Sequence, residues 1–252
     1  MLQFTGNLPP ITDMQELPFY GAKIALFGGT GTGKTRSVMS CPKPCLYLTS
    51  ENKYASVVDR SGIKFIKLEC FQQFVDSIIE FTKRSQNPNF PIKTIFIDSL
   101  TDIAEKRILE LKPIYKDIRQ AYGLVLDEII EILAYIKNIK CNVIIIFKME
   151  YTQDVEGNML FSPMIPGKKL GQNIPYEFDE IFCAISRRDG DKIKYYFKTI
   201  NDGRYACKSC SSVLPEYIEQ DFSMIINMIM SRYEHFGKPK EPNESENQSI
   251  SY

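Results

Sequence analysis

The chain has 252 residues, 44% of them apolar, and 31 basic residues exactly offset by 31 acidic ones. That is ample apolar content for one large buried core, and the even charge balance excludes a global field that would recruit nucleic acid or an acidic membrane surface, leaving only local patches for such partners. Seven cysteines, odd in number and scattered, read as reduced thiols and exclude a disulfide framework.

Residues 1–20 read as an N-terminal extension. Met1 to Gly6 lacks a basic segment leading into an apolar one, and the longest apolar stretch of the chain is only Val143 to Phe147, so the expectation is a soluble, cytoplasmic protein with no membrane partner. An apolar run from Lys23 to Phe27 then predicts a strand, and Gly28, Gly29, Thr30, Gly31, Thr32, Gly33, Lys34 and Thr35 follow it directly. They fit G-x-x-x-x-G-K-[ST] between a strand and an expected helix. The glycines let successive backbone N–H groups close on phosphate oxygens, Lys34 reaches the β- and γ-phosphates, and Thr35 supplies a hydroxyl to Mg²⁺. This stretch predicts a nucleoside triphosphate site.

Strand-length apolar runs recur at 45–49, 63–68, 94–98 and 143–147, with helical periodicity between them, which predicts a mostly parallel α/β sheet. Phe71, Phe74, Val75, Ile78 and Ile79 mark one helical stripe that stops before the loop 85–91, and a longer helix is expected from about Asp117 to Ile139. Thr94 to Asp98 is an apolar strand ending in aspartate, the form of a Walker B element whose carboxylate sits beside Mg²⁺. The alternative reading of Asp98 is a cap on the helix that starts near Leu100. Ser99, not glutamate, follows it, so a water-orienting base has to come from elsewhere. Glu51, just beyond the strand 45–49, would emerge at the same sheet edge; it is either that base or an ordinary surface glutamate.

Past residue 147 the pattern changes to a hairpin over 149–162, then strands near 178–185 and 192–199, giving the sheet antiparallel strands toward the C-terminus. Cys207 and Cys210 have C-x-x-C spacing, but no second pair accompanies them and the single histidine, His235, is distant, so the pair reads as incidental. A last helix is expected over about 221–233, and residues 236–252 form a polar tail that reads as disordered.

Cys45 to Glu51, Thr94 to Ser99 and Val143 to Phe147, in that order behind the phosphate loop, resemble the core of RecA-type recombination ATPases. The nearer resemblance is to compact phage-encoded RecA-like proteins associated with single-strand annealing. It spans about residues 20–232 and extends to the late stretch Lys198 to Arg204 and on to Lys208. It implies an ATP- and Mg²⁺-dependent ATPase with Lys34, Glu51 and Asp98 as catalytic residues, in the cytoplasm of a bacterial host.

It further implies a homo-oligomer in which Arg204 or Lys208 reaches a neighbouring site, single-stranded DNA as partner, and a role beside a single-strand-binding or other recombination protein. Two departures stand out: Ser209 and Cys210 follow Lys208 where such proteins carry Asp-Arg, and Lys148 occupies the position of an amide γ-phosphate sensor. Candidate DNA contacts are Lys112, Tyr115, Lys116, Arg119 and Tyr122, which interleave cations with aromatic faces, and Lys168 with Lys169. The same residues also read as a solvated helix face and an ordinary loop. Two other functions stay open: a binding module with negligible turnover, and a small-molecule kinase, although no basic lid is visible. A GTPase would need Asn-Lys-x-Asp, and Asn52 to Ala55 lacks the aspartate.

Overall fold

The computed structural model describes residues 19–153, 156–167 and 176–234. Most of the N-terminal extension, the polar tail, His235, Lys168 and Lys169 lie outside them. The central sheet contains β1 (Lys23–Gly28), β2 (Cys45–Thr49), β3 (Ile63–Lys67), β4 (Thr94–Asp98), β5 (Asn142–Ile146) and β8 (Glu180–Asp189). It is completed by β9 (Lys192–Lys198), β10 (Lys208–Ser209) and β11 (Tyr217–Glu219). Its order is β11-β9-β8-β1-β5-β4-β2-β3, with β10 also paired to β8. β6 (Lys148–Gln153) and β7 (Met159–Met164) form a separate antiparallel pair.

The strands from β3 to β8 run parallel, which is why they appear in the sequence as continuous apolar runs: helices cover both faces. Alternation within each run assigns side chains to one face or the other. Ala25, Phe27, Ile95 and Ile97 pack under α1 (Phe71–Arg84), α2 (Leu100–Leu111) and α3 (Ile118–Lys137). Ile24, Leu26, Phe96 and Ile144 meet Val38 and α4 (Phe222–Glu234) on the opposite side. The expected stripe on α1 is the buried one, with Phe71, Phe74 and Ile78 facing inward.

Two expectations are corrected. The element after the phosphate loop is a six-residue 3₁₀ helix, Thr35–Ser40, in place of a full α-helix. Pro42 and Pro44 account for this, since each lacks an N–H donor and restricts the residue before it. The hairpin read over 149–162 forms a sheet of its own in β6 and β7, while the antiparallel strands of the main sheet begin with β9, which turns back on β8 as expected.

β1 is the switch point. The chain leaves it toward β2 on one side, and the later β8 lies on the other, which opens a crevice at the carboxyl end of β1. Among the described residues no helix is long and apolar enough to cross a membrane.

Candidate functional site

The loop from Gly28 to Thr35 occupies that crevice, and close neighbours require two of its glycines, Gly28 and Gly33. Gly33 has φ +85°, and a Cβ there would lie 2.6 Å from Gln220 Oε1 and 2.8 Å from Tyr195 Cδ1. A Cβ on Gly28 would lie 2.6 Å from the Ala184 carbonyl of β8. Gln220 braces the loop by donating from Nε2 to the Thr32 carbonyl at 2.8 Å and to the Tyr196 carbonyl at 3.1 Å. The Thr32 hydroxyl donates to the Gly29 carbonyl at 2.8 Å.

Lys34 reaches back across the loop and donates to the Gly28 and Gly29 carbonyls, both at 2.7 Å. Burial holds its pKa below the ordinary lysine value, with Asp98 opposing. The Thr35 hydroxyl donates to Asp98 Oδ2 at 2.6 Å, so the phosphate loop and the aspartate that ends β4 meet at one point. Burial raises the Asp98 carboxyl above its usual value, while bonds from Thr35 and Tyr47 oppose that shift. The helix-cap reading of Asp98 is corrected: the cap of α2 is Ser99, whose side chain accepts from the Asp102 N–H.

Thr49 lies directly across from Asp98 in the β2–β4 register, so Glu51 emerges at the same edge. It lines the cleft and is paired with Lys53 at 3.1 Å. Lys148 also lines the cleft, held by Asp102 and Glu105 at 2.7 Å each. Burial pulls its pKa down, and these two carboxylates more than reverse the effect. The cleft holds about 360 Å³, within the range of small-ligand sites. A ring of loop amides, a lysine and a hydroxyl–carboxylate pair is a donor set that fits a polyphosphate with a hard divalent cation.

The remaining predicted residues fall elsewhere. Arg204 stacks its guanidinium 5.3 Å from the Phe161 ring centre and 5.7 Å from that of Tyr205. Lys208 donates to the Phe178 carbonyl at 2.8 Å, and neither cation lines the cleft of its own protomer. Tyr115 is half-buried against the hydrophobic core, and Arg119, exposed, pairs with Asp117 at 2.8 Å. Cys207 is buried and Cys210 exposed.

Sequence reading missed Tyr47, Arg36 and Tyr195. Tyr47 donates to Asp98 Oδ2 at 3.1 Å, and Arg36 and Tyr195 line the cleft. Only Arg36 carried a signal, by adjoining the motif.

A phosphate loop and a β4 aspartate meeting at the switch point of a mostly parallel sheet define a P-loop NTPase domain. The family described as AAA domain (AAA_24) matches residues 20–211, and the chain belongs to it. No curated protein matches it in sequence. Among solved structures, a KaiC-like protein from the hyperthermophilic archaeon Pyrococcus horikoshii matches 70% of this chain and 78% of its own. The two are 15% identical with a TM-score of 0.41.

Proposed function

We propose that this domain binds ATP with Mg²⁺ and hydrolyses it. The observation that carries the reading is the 2.6 Å contact between the Thr35 hydroxyl and the Asp98 carboxylate at the mouth of the loop. Thr35 and Asp98 would hold Mg²⁺, which supplies charge neutralisation at the β- and γ-phosphate oxygens. The loop amides and Lys34 stabilise charge on the transferred phosphoryl group. Glu51 orients the attacking water from the β2 edge, and Lys148 stands beside the γ-phosphate end. Calorimetry with Mg²⁺-ATP tests binding: Lys34→Ala abolishes the heat of a wild-type titration, and a wild-type chain that gives no heat removes the reading.

A second reading is favoured by the Lys53–Glu51 contact, which engages the proposed base: the domain occupies itself with nucleotide and turns it over negligibly. Glu51→Gln separates the two. Loss of a measurable turnover with binding retained supports catalysis, and a wild-type rate no faster than that of the variant supports the binding module.

The resemblance to RecA-like annealing proteins supports a role in recombination or replication through single-stranded DNA, with exposed Lys112, Lys116 and Tyr122 available for contact. Retardation of a labelled single strand at low salt, enhanced by Mg²⁺-ATP, is the expected result, and no retardation removes the role. The same resemblance supports a homo-oligomer in which Arg204 or Lys208 completes a neighbouring site. Arg204→Ala then lowers turnover without changing nucleotide affinity.

A further inference from the structure

We infer that Tyr195 and Arg36 form the nucleoside subsite of the cleft, with the base of the bound nucleoside triphosphate stacked on the Tyr195 ring. The inference rests on the nucleotide reading above and deepens it. Lys34 serves the β- and γ-phosphates and Thr35 lies against Asp98, so the terminal phosphate points toward Asp98 and Lys148. The α-phosphate end then lies toward Arg36, the next residue of the chain, and the nucleoside leaves the loop on that side.

The wall it meets there is Tyr195. Its ring edge packs against Gly33, where an added Cβ would lie 2.8 Å from Cδ1, so the aromatic surface continues directly from the phosphate loop. The Arg36 guanidinium sits 5.2 Å from the ring centre and covers part of the same ring. β9 holds the ring in place: Tyr195 lies across from Ser186 in β8, and its carbonyl accepts from the Gln220 N–H at 3.3 Å. Gln220 in turn grips Thr32, so the platform and the phosphate loop form one bonded unit. A flat ring beside a planar cation offers a base a π-face to stack on, an interaction that does not depend on reading base edges.

The test compares ATP with inorganic tripolyphosphate, both with Mg²⁺, by calorimetry. Tripolyphosphate fills the loop and carries no base. Tyr195→Ala is expected to weaken ATP by about ten- to a hundredfold and to leave tripolyphosphate unchanged. Tyr195→Leu, which keeps bulk against Gly33 without a π-face, is expected to do the same, and Tyr195→Phe to bind both ligands as the wild type does. Since the chain has no tryptophan, Tyr195→Trp adds one indole that can be excited apart from the tyrosines, expected to be quenched by ATP and not by tripolyphosphate.

ATP affinity unchanged in both the Ala and Leu variants overturns the subsite, as does equal weakening of both ligands, which would mean a distorted loop. Either result leaves the phosphate-loop reading standing. A wild-type chain that binds neither ligand overturns that reading and the subsite with it.

Discussion

Asp98 accepts two hydrogen bonds on one oxygen, from Thr35 at 2.6 Å and from Tyr47 at 3.1 Å. The Tyr47 phenol is buried, with its ring edge-on to Phe65 and Phe96 at 5.7 and 5.8 Å, so it has little freedom to find another partner. Tyr47→Phe keeps that packing and deletes one bond to an ionisable group, and urea unfolding should show a loss of about 1.5 kcal/mol. Unchanged stability would mean the bond contributes nothing. Glu180 gives a pH prediction. It is buried, one carboxylate oxygen accepts from the Ser211 N–H at 3.0 Å, and the other has no hydrogen-bond partner among the described residues. Burial raises its pKa above the ordinary 4.5, so between that value and the folded one the native state keeps a proton that the unfolded chain has lost. Stability from this group is full below about pH 4 and falls as pH rises through the window. Glu180→Gln should therefore flatten the decline in melting temperature as pH rises above 4.5, and an unaltered slope would count against it. The difference between these residues and Lys34 or Thr35 is one of legibility. The phosphate loop is contiguous, so spacing exposes it, whereas Tyr47 reaches Asp98 and Tyr195 reaches the cleft through strand register, which no local pattern encodes.

At the level of elements, the parallel strands were readable because burial on both faces demands unbroken apolar runs, and α1 because its stripe has a single period. β10 and β11, two and three residues long, are too short to carry a pattern and exist only through pairing with β8 and β9. The truncated helix after the phosphate loop could have been foreseen from Pro42 and Pro44, since the motif alone says nothing of helix length. The three helices on one face share a polar bolt. Arg107 of α2 makes a paired contact with Glu128 of α3 at 2.6 and 2.9 Å and a third bond to Glu110 at 3.2 Å, and lies 5.1 Å from the ring centre of Phe71. Glu110 also accepts from the Phe71 N–H at 3.2 Å, serving the start of α1, where Cys70 provides no side-chain cap. Glu110→Ala removes a cap and an ion-pair partner together and should cost about 1 to 2 kcal/mol by denaturant unfolding. Glu110→Gln, which retains the acceptor, should recover most of that.

For the whole molecule, nucleotide affinity should register as heat resistance, because the cleft draws on the phosphate loop, β4, β5, β9 and the segment after β2 at once. At a hundredfold excess over its dissociation constant, Mg²⁺-ATP adds about 2.7 kcal/mol, or roughly 5 to 10 °C in melting temperature for a domain of this size. A shift below about 1 °C at that excess would mean that the folded chain does not bind the nucleotide. The brace on the phosphate loop bears on how the protein is made. Gln220 holds Thr32 from 188 residues away, and Phe222 and Ser223 at the start of α4 bond Ser40 at the end of the 3₁₀ helix, at 3.0 and 2.7 Å. The phosphate-binding motif is thus shaped by residues far later in the chain. A polypeptide still on the ribosome, short of residue 220, has every letter of the phosphate-binding signature yet lacks the clamp that braces it, so the loop takes its described shape only after residues 220–223 have emerged.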